Sequence, residues 1–221
     1  MKTHGLLFCF LLLAGLSACN TSTQDTTVGA SVPVATNDAE TVTKPEEPKS
    51  PDTAFQIIPG HRAGQIYLGQ NPDEVVKALG KPDASNAAMG KALLTWVSAA
   101  DKPEKQSVTV YTVRKNTGMP DEKVEVRQVR VTSPTFSIVA NNLHAGSALS
   151  QIKQAYPSIQ AMAYYLAEDK SRVYVYDVPP QGIAFEVTGP DSVCIAMTIH
   201  PKNKGVQEEY LPLHPDMKPL H

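Results

Sequence analysis

One stretch occurs twice in this chain, and that repeat limits the possible folds more than any other feature. The first copy runs from Gly64 through Gly69, Asn71-Pro72-Asp73-Glu74-Val75-Val76 and Leu79-Gly80 to Pro82. The second runs from Leu143 through Gly146-Ser147-Ala148-Leu149 and Ile152 to Ala155-Tyr156-Pro157. With Gly69 set on Gly146, Ile66 meets Leu143, Val75 meets Ile152, Ala78 meets Ala155 and Leu79 meets Tyr156. Each copy is a glycine, a polar cap, a short apolar-faced helix and a stop. Alternating apolar segments follow each one. Repetition of one supersecondary unit is a statement about architecture before it is one about function. The expected fold class is α+β, a tandem repeat of a short helix packed on an antiparallel β-sheet meander.

Local signals fill in each unit. Asn71 is a good N-cap, Pro72 has the φ of a first helical position, and Asp73 and Glu74 suit the positive helix end. Asn71 and Glu74 have the spacing of a capping box. Val75, Val76 and Leu79 supply a buried stripe, Gly80 allows a left-handed cap, and Pro82 blocks continuation. In the second copy Ser147 is the expected cap, with Leu149, Ile152, Ala155 and Tyr156 on the apolar side. The equivalent helices are expected over 69–79 and 146–156. Helices of about two turns do not stand alone in water, so both must pack on a sheet.

Strand patterns cover 91–97, 107–113 and 124–132 in the first unit. In the last of these the apolar phase slips by one at Arg127-Gln128, which predicts a β-bulge. The second unit has strand patterns at 161–167, 172–178, 183–188 and 192–200, separated by Pro179-Pro180-Gln181-Gly182 and Gly189-Pro190-Asp191 turns. Connections this short require antiparallel neighbours. The units divide as 55–135 and 136–205, with a C-terminal tail at 206–221 in which Tyr210-Leu211-Pro212-Leu213 is expected to dock.

The N-terminus carries processing signals. Lys2 precedes the apolar run Leu6–Leu16, which is shorter than the roughly 20 residues of a membrane span and suits a signal peptide over 1–18. Leu16-Ser17-Ala18-Cys19 resembles the bacterial lipobox, which implies lipidation of Cys19 as the mature N-terminus. Loss of Cys9 with the signal would leave Cys194 as the free thiol. Asn20 follows in place of the Asp of the inner-membrane retention signal, which favours the outer membrane, facing the periplasm. Residues 19–54 form the lipidated cysteine and a tether. This segment is rich in Thr, Ser, Pro and acid, lacks aromatic residues and cannot bury enough apolar surface to order itself. A flexible chain of that length spans roughly 30 Å.

Chemistry is harder to find. The 20 basic and 22 acidic residues balance, which speaks against a nucleic-acid partner. His61, His144, His200, His214 and His221 make no tight ligand spacing with one another or with Cys194. Alternation puts Val193, Ile195, Met197 and Ile199 on one face of their strand and Cys194 with Ala196 and Thr198 on the other. His200 is too far along that strand to serve Cys194 as a base, and a small structural cysteine is the expected role. No Gly-x-Ser-x-Gly, phosphate loop or His-Glu-x-x-His motif occurs. No cofactor and no enzymatic activity are expected.

The Gly-x-x-x-x-x-Val-x-x-x-Leu-Gly-x-Pro pattern from Gly69 to Pro82 resembles the repeat of the small lipoprotein of the outer-membrane β-barrel assembly machine. It is also similar to the repeats of β-lactamase-inhibitor proteins. Both resemblances imply a helix on an antiparallel sheet. The chain departs from the first in having two such units, and from the pattern in ending its second copy on Tyr156-Pro157. The matched positions are caps and core, so no functional residue carries over. The resemblances imply a non-catalytic binding or envelope-assembly module with an envelope protein as partner. The alternative is an inhibitor of a periplasmic or secreted hydrolase, with the loop 99–105 as the candidate inhibitory segment.

The candidate partner-binding residues are tyrosines. In Val173-Tyr174-Val175-Tyr176 the valines share one face and the tyrosines the other. If the helices cover the valines, Tyr174 and Tyr176, with Tyr164 nearby, face water on the opposite side. Tyrosine combines apolar area with a polar tip and is enriched at interfaces.

Overall fold

The alternating segments pair into one antiparallel sheet. The computed structural model describes residues 53–98, 105–189, 191–208, 214 and 216–220. The expected signal peptide, Cys19, the expected tether to residue 52, most of the loop 99–105 and Tyr210–Leu213 lie outside the described residues. The strands in chain order are β1 (Gln56–Ile58), β2 (Arg62–Ala63), β3 (Ile66–Tyr67), β4 (Ala84–Ala88), β5 (Lys91–Val97), β6 (Ser107–Lys115) and β7 (Lys123–Val131). They continue as β8 (Ser137–Ile138), β9 (Ala161–Leu166), β10 (Arg172–Val178), β11 (Ile183–Thr188), β12 (Cys194–Ile199) and β13 (Lys218–Pro219). Helix α1 is Pro72–Leu79 and α2 is Leu149–Ala155. The large sheet has nine strands in the order β13-β9-β10-β11-β12-β7-β6-β5-β4. A small sheet, β3-β2-β1-β8, pairs β1 with β8 in parallel. The described residues are therefore α+β, with two short helices and mostly antiparallel sheet.

The two halves of the large sheet meet where β7 pairs with β12, through Val131↔Met197, Arg130↔Thr198 and Val129↔Ile199. Each of these strands is bulged against its hairpin partner. Tyr111 faces Gln128 and Thr112 faces Val126, so Arg127 is the extra residue, where the phase slip predicts it. Glu186 faces Ala196 and Val187 faces Cys194, so Ile195 is extra in β12. That second bulge corrects the reading of Cys194. It turns the cysteine to the side of Met197 and Ile199, away from Ala196 and Thr198.

The stretch before each helix clips onto a sheet residue beside a bulge. Gly69 N–H donates to Val126 O (2.8 Å) and Val126 N–H to Gln70 O (2.9 Å). Gly146 N–H donates to Cys194 O (2.7 Å) and Cys194 N–H to Ser147 O (2.8 Å). Both glycines have positive φ, 84° and 106°, so they belong to the turn and the helices start three residues later than expected. Asn71 caps α1 by accepting the Asp73 N–H (2.9 Å). Ser147 does not cap α2: its Oγ accepts the His144 N–H, the N-cap is Ala148, and Gln151 Oε1 accepts the Ala148 N–H (2.8 Å).

The helices bury one face of the sheet. Val75 of α1 and Ile152 of α2 are buried in a core with Val110, Val129, Phe185 and Met197. Leu79, expected in the stripe, is instead exposed. On the other face, Val206 and Met217 of the C-terminal stretch pack against Tyr165, Val173, Val175 and Ala184. Coverage from both sides explains why Ile183–Val187 is buried at every position rather than at alternate ones.

Candidate functional site

The tyrosines divide between surface and core, and the division reverses one expectation. Val173 and Val175 pack under the C-terminal stretch, and the tyrosine side of β10 is the helix side. Tyr176 is buried there, and burial pushes its hydroxyl pKa up. It is a core residue, not the water-facing one that the sequence predicts. Alternation defines two faces of a strand but does not say which face the helices take.

Tyr164 and Tyr174 do come together. They sit opposite each other on β9 and β10, with ring centroids 6.2 Å apart and planes at 46°. Both are half-buried. Arg172, two residues along from Tyr174 and exposed, places its guanidinium carbon 4.8 Å from the centre of the Tyr164 ring, a cation–π contact. Leu166 faces Arg172 across the pair and is 45% exposed. Tyr164, Leu166, Arg172 and Tyr174 thus form one apolar, hydrogen-bonding, cationic patch. The sequence reading misses Arg172 and Leu166, although their period-2 phase with Tyr174 and Tyr164 is the signal that finds them.

Beneath the patch, on the opposite face, lies a buried polar group. Arg130 Nε and Nη2 donate to the two oxygens of Glu186, each at 2.6 Å, and the Tyr165 hydroxyl donates to Glu186 Oε2 at 2.7 Å. His214 stacks on Tyr165 at 3.4 Å. Burial pushes the Glu186 carboxyl up, but the Arg130 charge and the bonds from Arg130 and Tyr165 outweigh it and hold the pKa below the ordinary value. Further along the face, burial likewise opposes ionisation of Glu125. Lys115 at 2.5 Å and Lys123 at 3.0 Å prevail and bring its pKa to about 2. These clusters tie strands and C-terminal stretch together. They offer no free base beside a nucleophile.

Cys194 and His200, two of the remaining chemical candidates, are packed into the fold. Cys194 is 1% exposed, and burial pushes its thiol up to about 12, so it is a poor nucleophile. Both ring nitrogens of His200 are engaged, Nε2 with Asp177 Oδ1 at 2.9 Å and Nδ1 with Pro201 O at 3.2 Å. Among the described residues no group of three or more His, Cys, Asp or Glu is placed to hold a metal ion. Among them, too, no helix is long and apolar enough to cross a membrane. What the Tyr164–Arg172–Tyr174 patch can do is bind: aromatic rings and arginine dominate the energetics of protein contacts. No protein-family model, no curated protein and no solved structure matches this chain.

Proposed function

We propose that this chain is a lipid-anchored protein of the bacterial envelope that serves as a non-catalytic binding module for another envelope protein. Lipid on Cys19 holds it to the membrane, on the periplasmic side of the outer membrane. The support for the anchor is the run Leu6–Leu16 followed by Leu16-Ser17-Ala18-Cys19. The observation that carries the binding role is the patch of Tyr164, Leu166, Arg172 and Tyr174, which stays accessible while Tyr176 beside it is packed away.

The domain is a tandem repeat of one helix-plus-sheet meander, 55–135 and 136–205. Three correspondences support this. Gly69 and Gly146 make the same pair of backbone bonds to Val126 and Cys194. Setting bulge on bulge aligns those same two residues, Val126 with Cys194, and also Tyr111 with Glu186 and Gln128 with Ala196. That alignment makes Val129 equivalent to Met197 and Val131 to Ile199. The contact between β7 and β12 then maps onto itself when the units are exchanged, with Arg130↔Thr198 at its centre. Duplicated units thereby close one of each other's open edges.

The test of the binding role is site-specific photocrosslinking in cells. A photoreactive side chain at Leu166 gives a discrete adduct with one envelope protein, and one at Lys77, exposed on α1, does not. Equal labelling from both positions, or from neither, overturns the proposal.

A further inference from the structure

The two ends of the large sheet are finished differently. At one end β9 is covered by β13, which pairs Lys218 with Tyr164 and Pro219 with Ala163. A short edge strand bearing lysine and proline is how natural sheets discourage further pairing, because proline has no N–H to offer. At the other end β4 has none of these devices. It reads Ala84-Ser85-Asn86-Ala87-Ala88, without charge or proline, and runs five pairs against β5 with no bulge. All five residues are exposed, and among the described residues no strand lies beyond it. Its side chains are too small to screen the backbone groups on its open side.

The edge is also held ready. Asp83 N–H donates to Thr95 O (2.9 Å), the Val97 N–H donates to Asp83 Oδ2 (2.7 Å), and Trp96 Nε1–H donates to Gly80 O (2.9 Å). These bonds pin the entry to β4 so that little ordering remains for a ligand to impose. Along its C-terminal half the strand borders a depression of about 300 Å³ lined by Ala87, Ala88, Met89, Ala92, Thr112 and Val124. Its floor comes from a row of small residues in register, Ala87↔Ala92↔Thr112, on the helix side of the sheet. Met89, in the turn after β4, is fully exposed. Gly90, Lys91 and Arg114 complete the lining.

We propose that β4 receives an extended segment of the partner protein as an added antiparallel strand. This rests on the binding-module reading and adds a second contact with the partner, at the end of the sheet opposite the Tyr164 patch. Backbone hydrogen bonds supply affinity, and one apolar side chain entering the depression supplies selectivity, as in other strand-addition complexes. Of the two lining cations Arg114 is already ion-paired with Glu122, so it is Lys91 that favours a neutral or acidic segment over a basic one. A second copy of this chain does not fit. The pairing that aligns all five residues, centred on Asn86, sets Lys81 of one copy against Lys91 of the other. It also engages five residues a side, against the roughly 20–30 of a stable interface.

The probe is the peptide acetyl-Thr-Leu-Thr-Leu-Thr-Glu-amide, titrated into the full chain and followed by backbone amide shifts. The expected result is saturable shifts confined to 84–88 and the lining of the depression. Binding weakens at least tenfold in Ala87→Lys, whose melting temperature is unchanged because Ala87 is exposed, and weakens when the peptide's Glu is replaced by Lys. No saturable shift at β4, equal shifts at the β13 edge, or undiminished binding to Ala87→Lys overturns the inference. The in-cell adduct from Leu166 separates the two levels. If it persists while the peptide fails, the edge is wrong and the binding role stands. If it is absent from the wild-type chain, the binding role itself is wrong.

Discussion

Replacing Glu186 with Gln keeps the side-chain volume and removes one charge from a site that depends on it. Glu186 is 8% exposed and faces three donors, Arg130 Nε, Arg130 Nη2 and the Tyr165 hydroxyl. An amide offers one oxygen to those donors and turns its own N–H₂ toward the rest. Arg130, at 15% side-chain exposure, then loses the carboxylate that accepts two of its N–H groups. Breaking a buried pair in this way costs about 3–5 kcal/mol. The residual exposure of Arg130 argues for the lower end, about 3 kcal/mol, a large share of the roughly 5–15 kcal/mol that holds a domain together. For a domain of this size the melting temperature falls by about 6–12 °C. Urea unfolding at pH 7 measures the loss directly, with unchanged m. The pH dependence has a definite sign. The folded carboxyl titrates below its ordinary 4.5, so its contribution is complete above that value and is lost as pH falls through the folded pKa. The gap between wild type and Glu186→Gln should therefore be flat from pH 7 to about 5.5 and narrow in acid. A loss under about 1 kcal/mol, or a gap that widens on acidification, refutes the reasoning. The paired change Arg130→Met with Glu186→Leu, made with Tyr165→Phe so that no hydroxyl loses its acceptor, should be milder than Glu186→Gln, since an apolar group needs no counter-charge.

Val75→Ala and Ile152→Ala should each cost on the order of 1–4 kcal/mol by chemical denaturation, because both side chains are buried; little loss at either site means that helix does not face a core. Cys194 should resist maleimide in the folded protein and react once urea unfolds it, as expected for a thiol 1% exposed and pushed up to about 12. Cys19→Ala should move the protein from the membrane fraction to the soluble one; unchanged partitioning removes lipidation at Cys19 from the account.

Local chemistry made much of this fold legible. Asn71, Pro72 and Gly80 mark the ends of α1 because each satisfies a terminal backbone need. The bulge at Arg127 shows in sequence because a two-residue period cannot absorb an extra residue without slipping phase. Strand β4 escapes notice because Ala, Ser and Asn carry no strand preference; pairing with β5 through a turn at positive φ, 52° at Met89 and 75° at Gly90, creates it. The small sheet rests on β1 meeting β8 from far along the chain, which no window of sequence contains. Tyr174 and Tyr176 were separable from the valines but not assignable to a face. The bulge at Ile195 has no phase slip to announce it, since Cys194, Ile195 and Ala196 all pass as apolar, and so simple alternation puts Cys194 on the wrong face. Glu186 leaves a mark, as the one charge in Ile183–Val187, but its partner Arg130 lies 56 residues away in the chain.

The central claim is that the surface of Tyr164, Arg172 and Tyr174 captures a partner. The most direct measurement is capture by the double variant Tyr164→Ser, Tyr174→Ser, with melting followed in the same preparation. Both rings are half-buried at the rim of the sheet, so the melting temperature should fall by only a few degrees. Crosslinked partner should fall at least tenfold, the weight of two aromatic contacts at an interface. Undiminished capture would contradict the account, and so would a collapse of melting that places the rings in the core.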